Sequence, residues 1–278
     1  MKLRTLVVTL AILTLTAAAA YAAVTFSVRA SEFDPANTFL VQAQWLDGIG
    51  CPTNAKVSAD GSTTTSHTTD AACTTGDASD SHNQGLLLAK TGPTANFASA
   101  GADINGVKGI TLTELGYDIR KPGADTRAGV RGSHCGAGAP RFNVTAADGI
   151  TYDFIGCNSG ATPATTELDG NGWIRLRWGN GTTTGVILAF AANGPAAGTV
   201  VNIAGIKVTG IQIVFDEGQD TGGPDFFGLA VIDNVDVNGT LVGRGDNADN
   251  NKGKKDKNKD KDHGDNDNGD DNDQGEDD

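Results

Sequence analysis

Two groups of side chains in this sequence have types and spacings suited to chemistry. The first is Trp173, Arg175 and Arg177, every second residue of Trp173-Ile174-Arg175-Leu176-Arg177-Trp178. Alternate residues of a strand share a face, so an indole and two guanidiniums would stand in a row opposite Ile174, Leu176 and Trp178. Indole faces stack on sugar rings and guanidinium offers a planar fork of donors, so the row predicts an outward ligand platform. The competing reading is a loop laid over the row, or arginines paired with the abundant Asp.

The second group is acidic. Asp216, Glu217, Asp220 and Asp225 fall in a Gly-containing loop, and Asp233 lies on the strand that follows. Hard carboxylate oxygens in such a loop suit Ca²⁺, which makes this set the candidate metal ligands. Asp233 shares the parity of Leu229, Val231, Val235 and Val237. A carboxylate on that side needs a metal, an Arg or backbone amides. The simpler alternative is Asp233 bonded to a nearby turn, with the loop acids solvated. A third acidic run, His263 to Asp270, resembles an EF-hand loop only in composition. Gly264 falls where the first ligand belongs and no Glu stands at the twelfth position.

Catalytic signatures are missing. There is no G-x-S-x-G and no H-E-x-x-H. A glycosidase-like carboxyl pair would draw on Asp, since Glu32, Glu114, Glu167 and Glu217 are the only Glu before the C-terminal tail. His134 beside Cys135 suggests a thiol nucleophile, but a disulfide would remove it. The four cysteines, Cys51, Cys73, Cys135 and Cys157, are an even set, which in an oxidising compartment implies two disulfides. Of three connectivities, Cys51–Cys73 and Cys135–Cys157 close two local loops of equal length, each worth about 3 kcal/mol of chain entropy.

These residues must be positioned by strands. Phe39, Val41, Ala43 and Trp45 share one parity with Gln42 and Gln44 on the other, and Gly85-Leu86-Leu87-Leu88-Ala89-Lys90 is a short apolar run of the kind found in buried strands. Phe142 and Val144, then Ile150, Tyr152 and Phe154, alternate around Ala147-Asp148-Gly149, the strongest hairpin signal in the chain. From Ile110 and Leu112 to Leu115, Tyr117 and Ile119 the apolar parity changes, which predicts a β-bulge near Glu114. Further strands are expected around Val186–Phe190, Val201–Ile203, Ile206–Val208, Ile211–Phe215 and Phe227–Val237. No apolar pattern of helical period occurs beyond the N-terminal segment. Nine to eleven short strands predict an all-β fold, an antiparallel, jelly-roll-like β-sandwich.

Composition places the domain. Met1–Ala22 reads as a signal peptide: Lys2 and Arg4, an apolar run from Leu6 to Leu15, then the small-residue site Ala20-Tyr21-Ala22. The expectation is an extracellular, secreted protein with no membrane insertion after cleavage. From residue 244 to 278 only Ala248 is apolar, so a disordered Lys/Asp/Asn-rich tail is expected after a domain spanning 23–243. A net charge of −13 disfavours nucleic acid as a partner.

Three runs, Gly85 to Thr94, His134 to Val144 and Asp225 to Val235, together resemble secreted bacterial β-sandwich proteins of uncharacterised function. The ending Ile232-Asp233-Asn234-Val235-Asp236-Val237-Asn238-Gly239 also resembles the last strand of jelly-roll carbohydrate-binding modules. The first resemblance implies a secreted β protein; the second implies a carbohydrate-binding-like sandwich, without assigning binding residues. The reading is a secreted, non-catalytic binding protein for carbohydrate or another cell-envelope polymer, with no cofactor other than Ca²⁺. The alternatives are a structural cell-surface or matrix protein with a cation-binding tail, and a polysaccharide hydrolase or lyase.

Overall fold

The structure, a computed structural model, describes residues 25–51, 75–92, 98–121, 139–157, 163–168, 172–216 and 227–245. Met1–Ala22, the tail from residue 246, Cys73, His134, Cys135, Glu217, Asp220 and Asp225 lie outside them. The strands are β1 (Ser27–Phe33), β2 (Val41–Leu46), β3 (Gly85–Thr91), β4 (Ser99–Asn105), β5 (Glu114–Arg120), β6 (Arg141–Ala146) and β7 (Thr151–Ile155). They continue with β8 (Ala164–Leu168), β9 (Trp173–Gly179), β10 (Leu188–Ala191), β11 (Val200–Asn202), β12 (Val208–Phe215), β13 (Phe227–Val237) and β14 (Thr240–Val242). No α-helix occurs among the described residues.

Two antiparallel sheets form a sandwich. Sheet A has the order β1-β4-β12-β6-β7-β10-β11; sheet B runs β2-β3-β13-β5-β9-β8, with β14 added to β13. The layers enclose one large core. At its centre the rings of Tyr117, Phe142 and Trp178 lie 5.5 to 6.2 Å apart in tilted and edge-on contacts. Such offset geometries suit the ring quadrupoles better than face-to-face stacking. The Tyr117 hydroxyl donates to the Pro140 carbonyl, so this buried phenol keeps a partner.

The predicted hairpin forms. Gly149 has φ 85° and donates its N–H to the Ala146 carbonyl, closing the turn between β6 and β7. β3 is buried along almost its whole length, as its unbroken apolar run predicts. Four strands escape the sequence pattern: β1, β8, β14 and β4, the last with Ala100, Ala102 and Ile104 as its inward residues. Alanine carries little hydrophobic signal, so its alternation is easily overlooked.

The predicted bulge near Glu114 is corrected. Thr111 bridges Lys207 and Leu112 donates to Ile206, both beside sheet A, whereas β5 joins sheet B from Glu114 onward. The parity changes because the chain crosses between sheets there. The bulge of this region sits on the partner strand. Between Asp233 and Asp236 the register of β13 against β5 slips, with Asn234 at φ 46°. Ala230 and Ile232 face the core before the slip, and Val235 and Val237 after it. Leu229 and Val231 therefore occupy the other face, and Asp233 with them.

Candidate functional site

The outer face of sheet B carries the residues singled out in the sequence, and it is closed. Ile174, Leu176 and Trp178 are buried in the core as predicted. Trp173, expected outward on a platform, is 0% exposed. It packs with Ile49, Cys51, Leu87 and Val231 in a second apolar cluster, made where the 47–51 segment folds back over the sheet. The Gly50 N–H donates to the Asn83 carbonyl, which brings that segment against the 75–84 stretch, and the Gly245 N–H donates to Gln84. Gly50 is required there, because a Cβ would stand 2.2 Å from the Gln84 carbonyl oxygen.

Arg175 and Arg177 project from the same face and are consumed by carboxylates. Asp118, fully buried on β5, accepts from Arg175 Nε and Nη2 at 2.8 Å each and from Arg177 Nη2 at 3.3 Å. Arg177 Nε also meets Asp236 at 2.8 Å, and Asn234 Nδ2 donates to Asp118 at 2.9 Å. Arg177 lies across Gly116, where a Cβ would meet its Cδ at 2.3 Å. Glycine inside a strand thus marks a close approach, here of a guanidinium. Burial pushes the Asp236 and Glu114 carboxyls up, and the hydrogen bond between them raises Glu114 and lowers Asp236. Both carboxyls are thus held above their usual range.

Asp233 finds its partners in the backbone. It accepts from the Cys51 N–H at 2.9 Å and from its own neighbour Asn234 N–H at 2.5 Å. Burial, with Asp118 nearby, holds it well above the usual carboxylate range. Asp216, at the end of β12 in sheet A, is gripped by both Nη atoms of Arg141, and its carbonyl accepts from Lys90 Nζ at 2.6 Å. The structure thus places the two described members of the acidic set on different sheets, each with its oxygens engaged. Among the described residues no group of three or more His, Cys, Asp or Glu is arranged to hold a metal ion. Cys51 and Cys157 are disulfide-bonded, while Cys73 and Cys135, and with them the pairing, lie outside the described residues.

Among the described residues the outer face of sheet A is open, and it holds aromatics that the sequence pattern does not single out. Phe154 on β7 and Phe190 on β10 are 45% and 40% exposed, their rings 6.3 Å apart and nearly perpendicular. Phe154 has φ 59°, a left-handed conformation that costs a bulky residue about 1–2 kcal/mol. The cause is a bulge: Phe142 pairs with Ile155 and Val144 with Tyr152, leaving Asp153 and Phe154 together opposite Asn143. Bulges re-aim side chains, and this one turns Phe154 outward while Ile155 takes the core position. Arg141 lies 4.6 Å over the Phe154 ring, held there by Asp216.

No family model, curated protein or solved structure matches this chain. Its function must be read from the face itself. Beside the ring pair run polar side chains in register across three strands: Asn143 on β6, Gln212 on β12 and Asp103 on β4. Gln212 Nε2 donates to Asp103 at 2.7 Å, which fixes the amide plane. Burial raises the Asp153 carboxyl, and the Arg141 charge opposes that shift. The arrangement offers an apolar step of two rings, a fixed guanidinium, and planar donors and acceptors on a rigid sheet. Among the described residues it offers no nucleophile with a base beside it.

Proposed function

We propose that this chain is a secreted, non-catalytic glycan-binding module whose site is the outer face of sheet A. The observation that carries the reading is Phe154. Its backbone is left-handed and its ring is half-exposed, placed with Phe190 and Arg141 on the surface and not in the core. Strain of this kind gathers at functional sites because the surrounding structure can impose it. An exposed aromatic pair beside a row of amides and carboxylates matches the two-sided chemistry of a sugar: C–H faces to stack and hydroxyls to bond. The resemblance of the last strand to carbohydrate-binding modules agrees with this reading, and export agrees with the Met1–Ala22 segment.

Among the described residues, the close carboxyl pair on sheet B lacks the spacing that hydrolysis needs. Glu114 and Asp236 are hydrogen-bonded to each other. That contact is closer than the roughly 5–9 Å at which paired glycosidase carboxyls work. They also lie on the closed face.

The test is a glycan and cell-wall polymer panel probed with the chain from Ala23 onward. Specific binding weakened about tenfold or more by Phe154→Ala or Phe190→Ala is expected, the equivalent of one lost aromatic contact. Binding that survives both substitutions unchanged would remove the site assignment.

A further inference from the structure

A concavity lies at the seam where the first strands of the two sheets meet. Its volume is about 670 Å³, and Glu32, Asp34, Phe39, Gln42 and Thr91 are among its lining. The connection from β1 to β2 builds it. Asp34 Oδ2 accepts from the Phe39 N–H at 2.7 Å and from Thr38 Oγ1 at 3.0 Å, and the Asn37 N–H donates to the Asp34 carbonyl. Leu40 is fixed from the other side. Its carbonyl accepts from the Thr91 N–H at 2.8 Å, and its side chain occupies the space a Cβ at Gly92 would need. Between these anchors Phe39 is turned outward at φ 58°, 90% exposed.

Phe39 therefore combines the two costs seen at Phe154, with the same left-handed backbone and twice the exposure. The sequence reading placed it at the start of a half-buried strand, in parity with Val41, Ala43 and Trp45. The structure instead begins β2 at Val41 and gives the Phe39 ring to the groove. Among the described residues the lining contains two carboxylates and no cation. Glu32 spends Oε1 on the Ala43 N–H at 2.8 Å, which caps an open edge of β2. Asp34 has a buried Oδ1 without any hydrogen-bond partner. An aromatic face with carboxylates beside it attracts a cation by ring quadrupole and charge together. Asn37, Gln42 and Thr91 add amide and hydroxyl groups suited to a polyhydroxylated ligand.

We infer that this seam groove is a second binding site, selective for sugars that carry a protonated amine. Phe39 is the platform, and Glu32 with Asp34 supplies the counter-charge. The site is separate from the sheet A face. Phe154 stands on β7, four strands from β1, a separation of about 19 Å at the usual strand spacing. It stands or falls independently of the function proposed for that face.

The experiment is calorimetric titration of the chain from Ala23 onward with fully deacetylated glucosamine hexamer, and with its N-acetylated counterpart, at pH 6. The deacetylated oligomer should bind at least tenfold tighter, and added salt should weaken it. Phe39→Ala should abolish most of that binding. Glu32→Gln keeps an oxygen for the Ala43 N–H while removing the charge, and should weaken binding several-fold. Phe154→Ala should leave it unchanged. Phe39→Gly should lose binding yet raise Tm by about 2 °C, because glycine occupies the left-handed region freely. Equal affinity for the two oligomers, or binding undiminished in Phe39→Ala, would overturn the proposal. Retained binding in Phe39→Ala but not in Phe154→Ala would transfer the amine preference to the sheet A face.

Discussion

The two outer faces of this sandwich use similar residues to opposite ends. Sheet B presents Trp173, Arg175 and Arg177; sheet A presents Phe154, Phe190 and Arg141. On sheet B the aromatic is sealed under the 47–51 segment and both arginines are spent on buried carboxylates. On sheet A the rings stay in solvent, and the arginine is held by one carboxylate so that it lies over a ring. What separates a structural face from a recognition face is the covering chain. The row on β9 is visible in sequence but sealed, whereas Arg141, Phe154 and Phe190 come from three strands and meet only in the fold.

The largest expected effect breaks the closed face. Asp118→Ala leaves two guanidiniums facing each other without their shared carboxylate. Removing one partner from such a buried cluster costs about 3–5 kcal/mol, read as a drop in the urea midpoint. If Asp118→Ala were as stable as the parent, the network would not hold the face together. Next come the aromatics themselves. Trp173→Ala should cost about 3–5 kcal/mol, with any binding activity unchanged in the molecules that remain folded. Phe190→Ala should cost about 1 kcal/mol or less and reduce glycan binding. The opposite assignment of effects would invert the comparison between the faces.

A smaller effect is read by pH, to which raised carboxyls on both faces contribute, Asp153 on sheet A and Glu114 on sheet B. The Glu114 carboxyl is raised in the folded state, by burial and by Asp236 beside it. The folded chain thus holds a proton that the unfolded chain releases from about pH 4 upward. Its contribution is full below the unfolded pKa and is lost as pH rises through the folded value. Asp233 and Asp236 are raised as well and act in the same direction. Stability should therefore decline from about pH 4 toward neutrality. Glu114→Gln, which keeps a donor toward Asp236 without titrating, should flatten part of that slope. An unchanged slope in Glu114→Gln would mean that the hydrogen bond to Asp236 does not carry a proton.

Much of the fold was legible because its strands obey simple rules. Leu86 to Ala89 needed only to be apolar, and Ala147-Asp148-Gly149 only to turn. Places where the chain leaves regular strand geometry were harder to read. The parity change at Glu114 has two physical causes that look alike in sequence, a bulge or a crossing between sheets. The slip at Asn234 preserved an apparent alternation from Leu229 to Val237, because the extra residue moved the core face from even to odd positions. Its signals were Asn in mid-strand, which tolerates positive φ, and Gly116 on the strand opposite. Phe39 and Phe154 are the same problem at the sites themselves. Each continues an apolar alternation and would pass as core. Only the turn residues Asp34-Pro35-Ala36-Asn37 hint that Phe39 lies outside its strand. Nothing local marks Phe154, whose exposure arises from pairing between β6 and β7.

The finest difference between the faces lies in their arginines, and Arg141→Lys tests it. Lysine at that position would keep the positive charge near Asp216 but not the paired bonds, which need the planar fork. It would also lose the flat contact with Phe154, since an ammonium is a compact and strongly hydrated charge. The stability cost should be about 1 kcal/mol, because the pair is only partly buried and is discounted by solvent screening. Binding should fall about two- to fivefold, a difference of less than 1 kcal/mol, with the ring pair still present. A loss as large as that in Phe154→Ala would make Arg141 itself the principal contact, and the aromatic rings its support.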